Sequence, residues 1–216
     1  MTHPLLRLDF YPTAVLMTQW NKPQHDLASP TGACLPPHTT TYPVSIHDVA
    51  TACTKIDFSS GFLPPNTLFW QQRADTIRLG IYVPARRWHL QTAERTYHLP
   101  LPPLIFVGAG TSYQIFAVKK RPLDQQAPLF YAPCPNVYSS GSICAGNTPF
   151  PVCTTQTIHH ALTLFMEGSH FNADLSNNKC RRHPHDVRQL WAEIDGKKRF
   201  PLGQLVPMQR TLSHLL

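Results

Sequence analysis

Proline constrains this chain more than any other feature: 22 of its 216 residues are proline, spread along the sequence. Each one removes a backbone donor and locks φ near about −65°, which ends helices and bars the residue from the middle of a sheet. A mostly helical protein is excluded. What remains is short strands, a few short helices and many turns.

Between the prolines, local patterns set out the order. Residues 6–20 show strand-like alternation, and residues 21–43, rich in Pro, Thr and Ser, read as a loop or linker. Ile46, Val49, Ala50 and Cys53 then recur at helical spacing behind Ser45, a side chain suited to capping a helix N-terminus. Residues 1–65 are set apart as an N-terminal extension, ahead of a main domain over 66–216. In that domain, residues 67–70 and 76–83 flank a polar turn and predict a hairpin. Residues 88–90, 104–107, 113–118 and 129–131 continue the series, with a turn at Gly108-Ala109-Gly110, so an antiparallel meander is expected. A helix follows, with Thr154 or Thr155 as N-cap, Ile158, Ala161, Leu162 and Phe165 on one stripe, and Gly168 as its stop. A second begins after Pro184, where Val187, Leu190, Trp191 and Ile194 share a face. Strands, then an irregular loop, then helices make an α+β chain.

Composition narrows the class. With 42% hydrophobic and 14% charged residues the chain is globular rather than disordered. Its apolar runs, such as Leu104-Ile105-Phe106-Val107, are too short to cross a bilayer. The first residues carry no positive stretch ahead of an apolar block, so no export is expected and the cytoplasm is the expected location. In that setting the six cysteines (Cys34, Cys53, Cys134, Cys144, Cys153 and Cys180) read as reduced thiols. The net charge of +7 invites a nucleic-acid reading, yet charge alone speaks only to non-specific attraction. The basic residues from Lys179 to Arg199 are read as a solvated face or a surface for an acidic protein, in preference to nucleic acid.

Chemistry concentrates in the polar, turn-rich segment 132–147, between the last strand and the first strong helix. Pro135-Asn136 sets a turn, Gly141 permits positive φ, and Ile143 anchors the segment so that the Cys144 thiol stays at its edge. A zinc site built from Cys180, His183 and His185 with Cys134, Cys144 or Cys153 competes with this reading. No Cys-x-x-Cys pair supports it, and the spacings match no common finger. His159-His160 could supply the base of a cysteine hydrolase, although adjacent helical residues face different ways, so at most one could serve.

Pro135-Asn136-Val137, a short turn, then Gly141-Ser142-Ile143-Cys144 resembles the active-site signature of ubiquitin-conjugating enzymes, with the same Asn-to-Cys spacing. The strand at 113–118, Pro122, the segment 128–131 and Phe150-Pro151 are similar to that family's flanks, and the likeness runs from about 75 to 195. More narrowly, Leu101-Pro102-Pro103-Leu104, the stretch 132–137, Ile143-Cys144-Ala145-Gly146 and Phe171-Asn172 ahead of Asn178-Lys179 resemble the prokaryotic conjugating-like family D, encoded in plasmid-borne PRTRC cassettes (ParB-related, ThiF-related). The resemblance implies a conjugating-type meander, active-site loop and packed helices. It implies that Cys144 takes a ubiquitin-like protein as a thioester from a ThiF-related activating enzyme, needing no cofactor or metal, and passes it to an acceptor. Asn136 would then steady the oxyanion and Asp174 assist the incoming lysine. Two positions depart from the signature: Cys134 stands at the usual His, and Ala145-Gly146 replaces Leu-Asp. An inactive adaptor on the same fold, serving plasmid maintenance, is the alternative.

Overall fold

The computed structural model describes residues 6–12, 14–20, 39–54, 60–73 and 76–216, with the backbone alone at 51–54 and 73. It divides into two compact units, residues 1–59 and 60–216. In the first, β1 (Leu6–Phe10), β2 (Val15–Trp20) and β3 (Thr39–Val44) form an antiparallel sheet in that order. β3 falls where a linker was expected. Its Thr39-Thr40-Thr41-Tyr42 run is β-branched and aromatic, and Thr18 Oγ1 meets Thr41 Oγ1 across the pair at 3.1 Å. α1 (Ile46–Thr54) follows, and the Ser45 hydroxyl accepts from the His47 N–H at 3.1 Å, as a capping serine should. Cys34 and the Cys53 side chain lie outside the described residues.

The second unit is built on a six-stranded antiparallel sheet. β4 (Thr67–Arg73) and β5 (Thr76–Val83) form the expected hairpin. β8 (Leu104–Ala109), β9 (Ser112–Ala117), β10 (Pro128–Tyr131) and β12 (Pro207–Thr211) complete the order β12-β10-β9-β8-β5-β4. The meander is interrupted, because β6 (Arg86–Thr92) and β7 (Thr96–Leu101) leave it after β5. They pair with each other and with β11 (His170–Phe171) in a separate small sheet. The chain then returns so that β8 pairs with β5.

The apolar run at 104–107 now has a physical reason. Successive strand residues face opposite sides, and both sides of β8 are covered. Leu104 and Phe106 join the main core, while Ile105 and Val107 join a smaller one closed by Leu129, Met208, Leu212 and Leu215. The main core also takes Trp88, Leu90, Tyr97 and Leu99 from the inward positions of β6 and β7.

Two helices cover this core. α2 (Ile158–Glu167) buries Ile158, Ala161, Leu162, Phe165 and Met166 and packs on β6. It starts later than the threonines suggest: Thr157 is its N-cap, and the Thr154 hydroxyl instead accepts from the Gln156 and Thr157 N–H groups in the preceding turn. α3 (Val187–Ile194) packs on β7, buries Val187, Leu190, Trp191 and Ile194, and is capped by the Asp186 carboxylate. Edge-on ring contacts at 5.3–5.7 Å link Phe165, Phe171, Trp191 and Tyr97, and so join both helices to the small sheet. Among the described residues, no helix is long and apolar enough to cross a membrane.

Candidate functional site

The segment 132–147 leaves β10 and is fastened from three sides. The Trp191 indole, fully buried on α3, donates to the Pro133 carbonyl at 2.8 Å. Alongside β9, Ile115 N–H donates to Gly141 O (2.8 Å) and Ile143 N–H to Tyr113 O (3.0 Å). From β12, Arg210 donates to Ser140 O at 3.4 Å. The loop folds back on itself through the Val137–Ile143 bridge and the Tyr138 N–H to Ser142 O bond at 2.8 Å. Gly141 is the residue this turn demands. Its φ of +89° disfavours any side chain, and a Cβ there would overlap the Phe116 ring.

These restraints bring the three expected site residues together, and Asn136 is where they meet. Its backbone carbonyl accepts from the Cys144 N–H at 2.7 Å, and its own N–H donates to the Asp174 carbonyl at 2.9 Å. Asn136 has φ +57°, a left-handed conformation that Asn tolerates better than most residues. Its side-chain amide reaches the His170 carbonyl at 3.5 Å, the long limit of a hydrogen bond, while Oδ1 is buried with no partner among the described residues. The exposed Asp174 sits in an Asx turn: its N–H donates to Asn172 Oδ1 (2.9 Å) and its carboxylate accepts from Asn172 Nδ2 (2.7 Å).

The described cysteines divide by environment. Cys134, Cys153 and Cys180 are buried free thiols, whereas Cys144 is partly exposed. Burial pushes the Cys134 thiol up to about 12, against a smaller opposing pull from Lys179, and pushes Cys153 up to about 11. Both stay protonated near neutral pH and are poor nucleophiles. At the position of the signature histidine, Cys134 is a packing residue with no exposed surface. Cys180 donates to the His183 carbonyl at 3.2 Å, and the His183 imidazole meets the Glu193 carboxylate at 2.8 Å. Among the described residues, no three His, Cys, Asp or Glu side chains gather as a metal-ligand group. His159 and His160 both lie exposed on α2.

Two residues of the site have no role assigned from the sequence. The Tyr138 hydroxyl points at Cys144 Sγ across a long 3.9 Å contact, and donating to that sulfur raises the phenol pKa. Lys179, grouped above with a solvated basic face, is only 3% exposed. Its ammonium lies 3.5 Å from the Tyr138 carbonyl and 4.9 Å over the Tyr131 ring, and burial pushes it down to about 8. The basic cluster is thus not one surface, and Lys179 is a floor under the reactive loop. Its polar and charged neighbours Asn178, Arg181 and Arg182 give no sign of burial in the sequence.

No curated protein and no solved structure matches the chain. A family model described as "Prokaryotic E2 family D", the prokaryotic branch of ubiquitin-conjugating-like proteins, matches residues 45–208. That span holds the whole loop, both covering helices and five of the six strands of the large sheet in full, and it begins within the first unit at α1. The Asn136-to-Cys144 spacing thus lies inside a match that covers most of the chain, and this protein belongs to prokaryotic E2 family D.

Proposed function

We propose that the protein is a ubiquitin-conjugating-like thiol transferase in which Cys144 carries the C-terminus of a small ubiquitin-like protein. The carrying observation is the junction at Asn136, which holds the backbone of a partly exposed cysteine 2.7 Å away on one side and the Asp174 loop 2.9 Å away on the other. In the first step the Cys144 thiolate attacks the thioester carbonyl on an activating enzyme. The C–S bond to that enzyme breaks, and its sulfur leaves as a thiolate that takes up the proton Cys144 lost on ionising. In the second step a neutral acceptor amine attacks the Cys144 thioester, the carbonyl oxygen becomes an oxyanion, the nitrogen gives up a proton to solvent, and collapse breaks the C–S bond to release the Cys144 thiolate and an amide.

Asn136 suits the second step, since an amide held only by a 3.5 Å bond can turn towards a developing oxyanion. The Asp174 carboxylate, exposed and fixed by Asn172, suits receiving the lysine ammonium. The activating partner is a ThiF-related enzyme and the setting a plasmid-borne PRTRC cassette in the bacterial cytoplasm, of which this chain would be protein B. Family membership and the Leu101-Pro102-Pro103-Leu104 and Ile143-Cys144-Ala145-Gly146 stretches support that reading.

With activating enzyme, ubiquitin-like protein and ATP, a thiol-sensitive adduct forms on the wild-type chain. Cys144→Ser converts it to an adduct resistant to reducing agent or abolishes it, and Cys153→Ser leaves it intact. Gel mobility with and without reductant reads the result. An unchanged reducible adduct on Cys144→Ser ends the proposal.

A further inference from the structure

The basic residues outside the loop separate into paired and unpaired groups. Arg182 meets Glu193, and Arg188 meets Asp186, each at 2.8 Å. Arg86 and Arg87 at the start of β6, Lys119 after β9, and Lys198 and Arg199 after α3 have no ion-pair partner among the described residues. These five cations line one cleft of about 480 Å³, and neither Asp nor Glu lines it. Like charges so placed raise the local potential and concentrate an anionic partner.

The cleft is built before any partner arrives. Arg87 Nη2 donates to the Gly196 carbonyl (3.3 Å) and the Lys197 carbonyl (3.1 Å), which ties β6 to the turn carrying Lys198 and Arg199. The Arg86 guanidinium lies 3.5 Å over the Trp88 ring, and Phe200, 8% exposed, roots the 198–199 segment in the core. The floor between the cations is apolar, formed by Pro100, Leu101, Pro102 and Phe200.

We propose that this cleft docks an acidic peptide segment of a partner protein. Asp or Glu carboxylates of the segment engage the arginine and lysine rim, and an apolar side chain between them seats against Leu202, the exposed apolar residue of the lining. Arginine forks take carboxylates in bidentate geometry, and Arg86 and Arg87, already held, spare part of the entropy of ordering long side chains on binding. Nucleic acid is served less well. Single strands bind by stacking bases on exposed aromatic rings, whereas Trp88 is 1% and Phe200 8% exposed. A duplex is a convex rod that presents its phosphates along a surface rather than down into a concave cleft. The site stands apart from the thioester reading, since no residue of the 132–147 loop lines it.

The test uses the full chain and a short fluorescein-labelled peptide of alternating Glu and Leu, followed by fluorescence anisotropy. The peptide binds, its Gln-Leu counterpart does not, and added salt weakens the complex. Arg199→Glu and, on another wall, Lys119→Glu each weaken binding by roughly tenfold, as expected for reversing a contacting charge. Arg95→Glu, the same charge change at the opposite end of the β6–β7 ribbon, shifts it by less than about twofold because a distant exposed charge is screened. All three positions are exposed, and melting curves confirm that each variant folds. Absence of peptide binding overturns the proposal. So does an equal loss in Arg95→Glu, which would mean bulk charge alone. Tighter binding of a duplex or single-stranded oligonucleotide, lost in Arg199→Glu, would make the cleft a nucleic-acid site instead.

Discussion

Asn136 brings both its backbone and its side-chain amide to the loop, and their contributions can be pulled apart by the choice of substitution. Its main chain joins Cys144 to Asp174, so the turn needs a residue content at φ +57°. Asn136→Ala removes the amide but also strains the backbone by about 1 kcal/mol. Asn136→Gly removes the same amide without that strain. If the amide steadies the oxyanion, Asn136→Gly loads from the activating enzyme almost normally, while discharge to a lysine acceptor falls by roughly 10²–10³. If the amide only braces the loop, loading falls too, and a melt shows the loss of about 1 kcal/mol typical of one hydrogen bond. Single-turnover loading and discharge on the same preparation decide between them. The Asn-to-Cys spacing is legible in the sequence because it is local. The meeting of Asn136 with Asp174 has no local signature and is expected only through the family resemblance, since it depends on how the chain after α2 returns to the loop.

The elements around the loop show which patterns reach the sequence and which do not. α2 and α3 are legible because a buried stripe recurs at helical spacing within each one. β7, β11 and β12 have no such local signature. β7 carries Pro100 within its span, β11 is two residues long, and β12 pairs with a strand far away in sequence. Lys179 is the clearest case of a residue whose surroundings decide its chemistry, since nothing beside it in the chain foretells a buried ammonium under the Tyr138 carbonyl. Its pKa is about 8 in the fold against an ordinary value of 10.5. Between those values the unfolded chain binds more protons than the folded one, so this group makes the fold more stable as pH rises. The buried thiols Cys134 and Cys153, raised to about 12 and 11, act in the opposite direction above their ordinary range. Comparison with Lys179→Met isolates the lysine. From pH 8 to pH 10 the wild type gains about 2 kcal/mol over Lys179→Met in denaturant titrations. Parallel stability profiles for the two proteins would mean that Lys179 is solvated after all.

The whole chain poses a question of boundaries, because two ways of dividing it disagree. Compactness places the break at residue 60, whereas the family match starts at residue 45 and takes in α1. All the contacts described above for the Cys144 loop lie within 60–216: β9, β12, α3, Lys179 and the Asp174 turn. Among the described residues, the two hydrophobic cores likewise draw only on that unit. A chain of this size buries enough surface to be stable without its extension. The fragment 60–216 should therefore unfold in one cooperative transition, with a midpoint within about 4 °C of the corresponding transition of the full protein, equivalent to about 1 kcal/mol. It should also load Cys144 at the rate of the full chain if the activating enzyme reads only this unit. Slow loading by 60–216, restored in 45–216, would assign α1 to recognition of the activating enzyme and explain why the family match reaches back to it. A fragment 60–216 that fails to melt cooperatively, while 45–216 does, would instead make α1 part of the fold. Calorimetry and loading assays on the two fragments separate a helix that binds from a helix that stabilises.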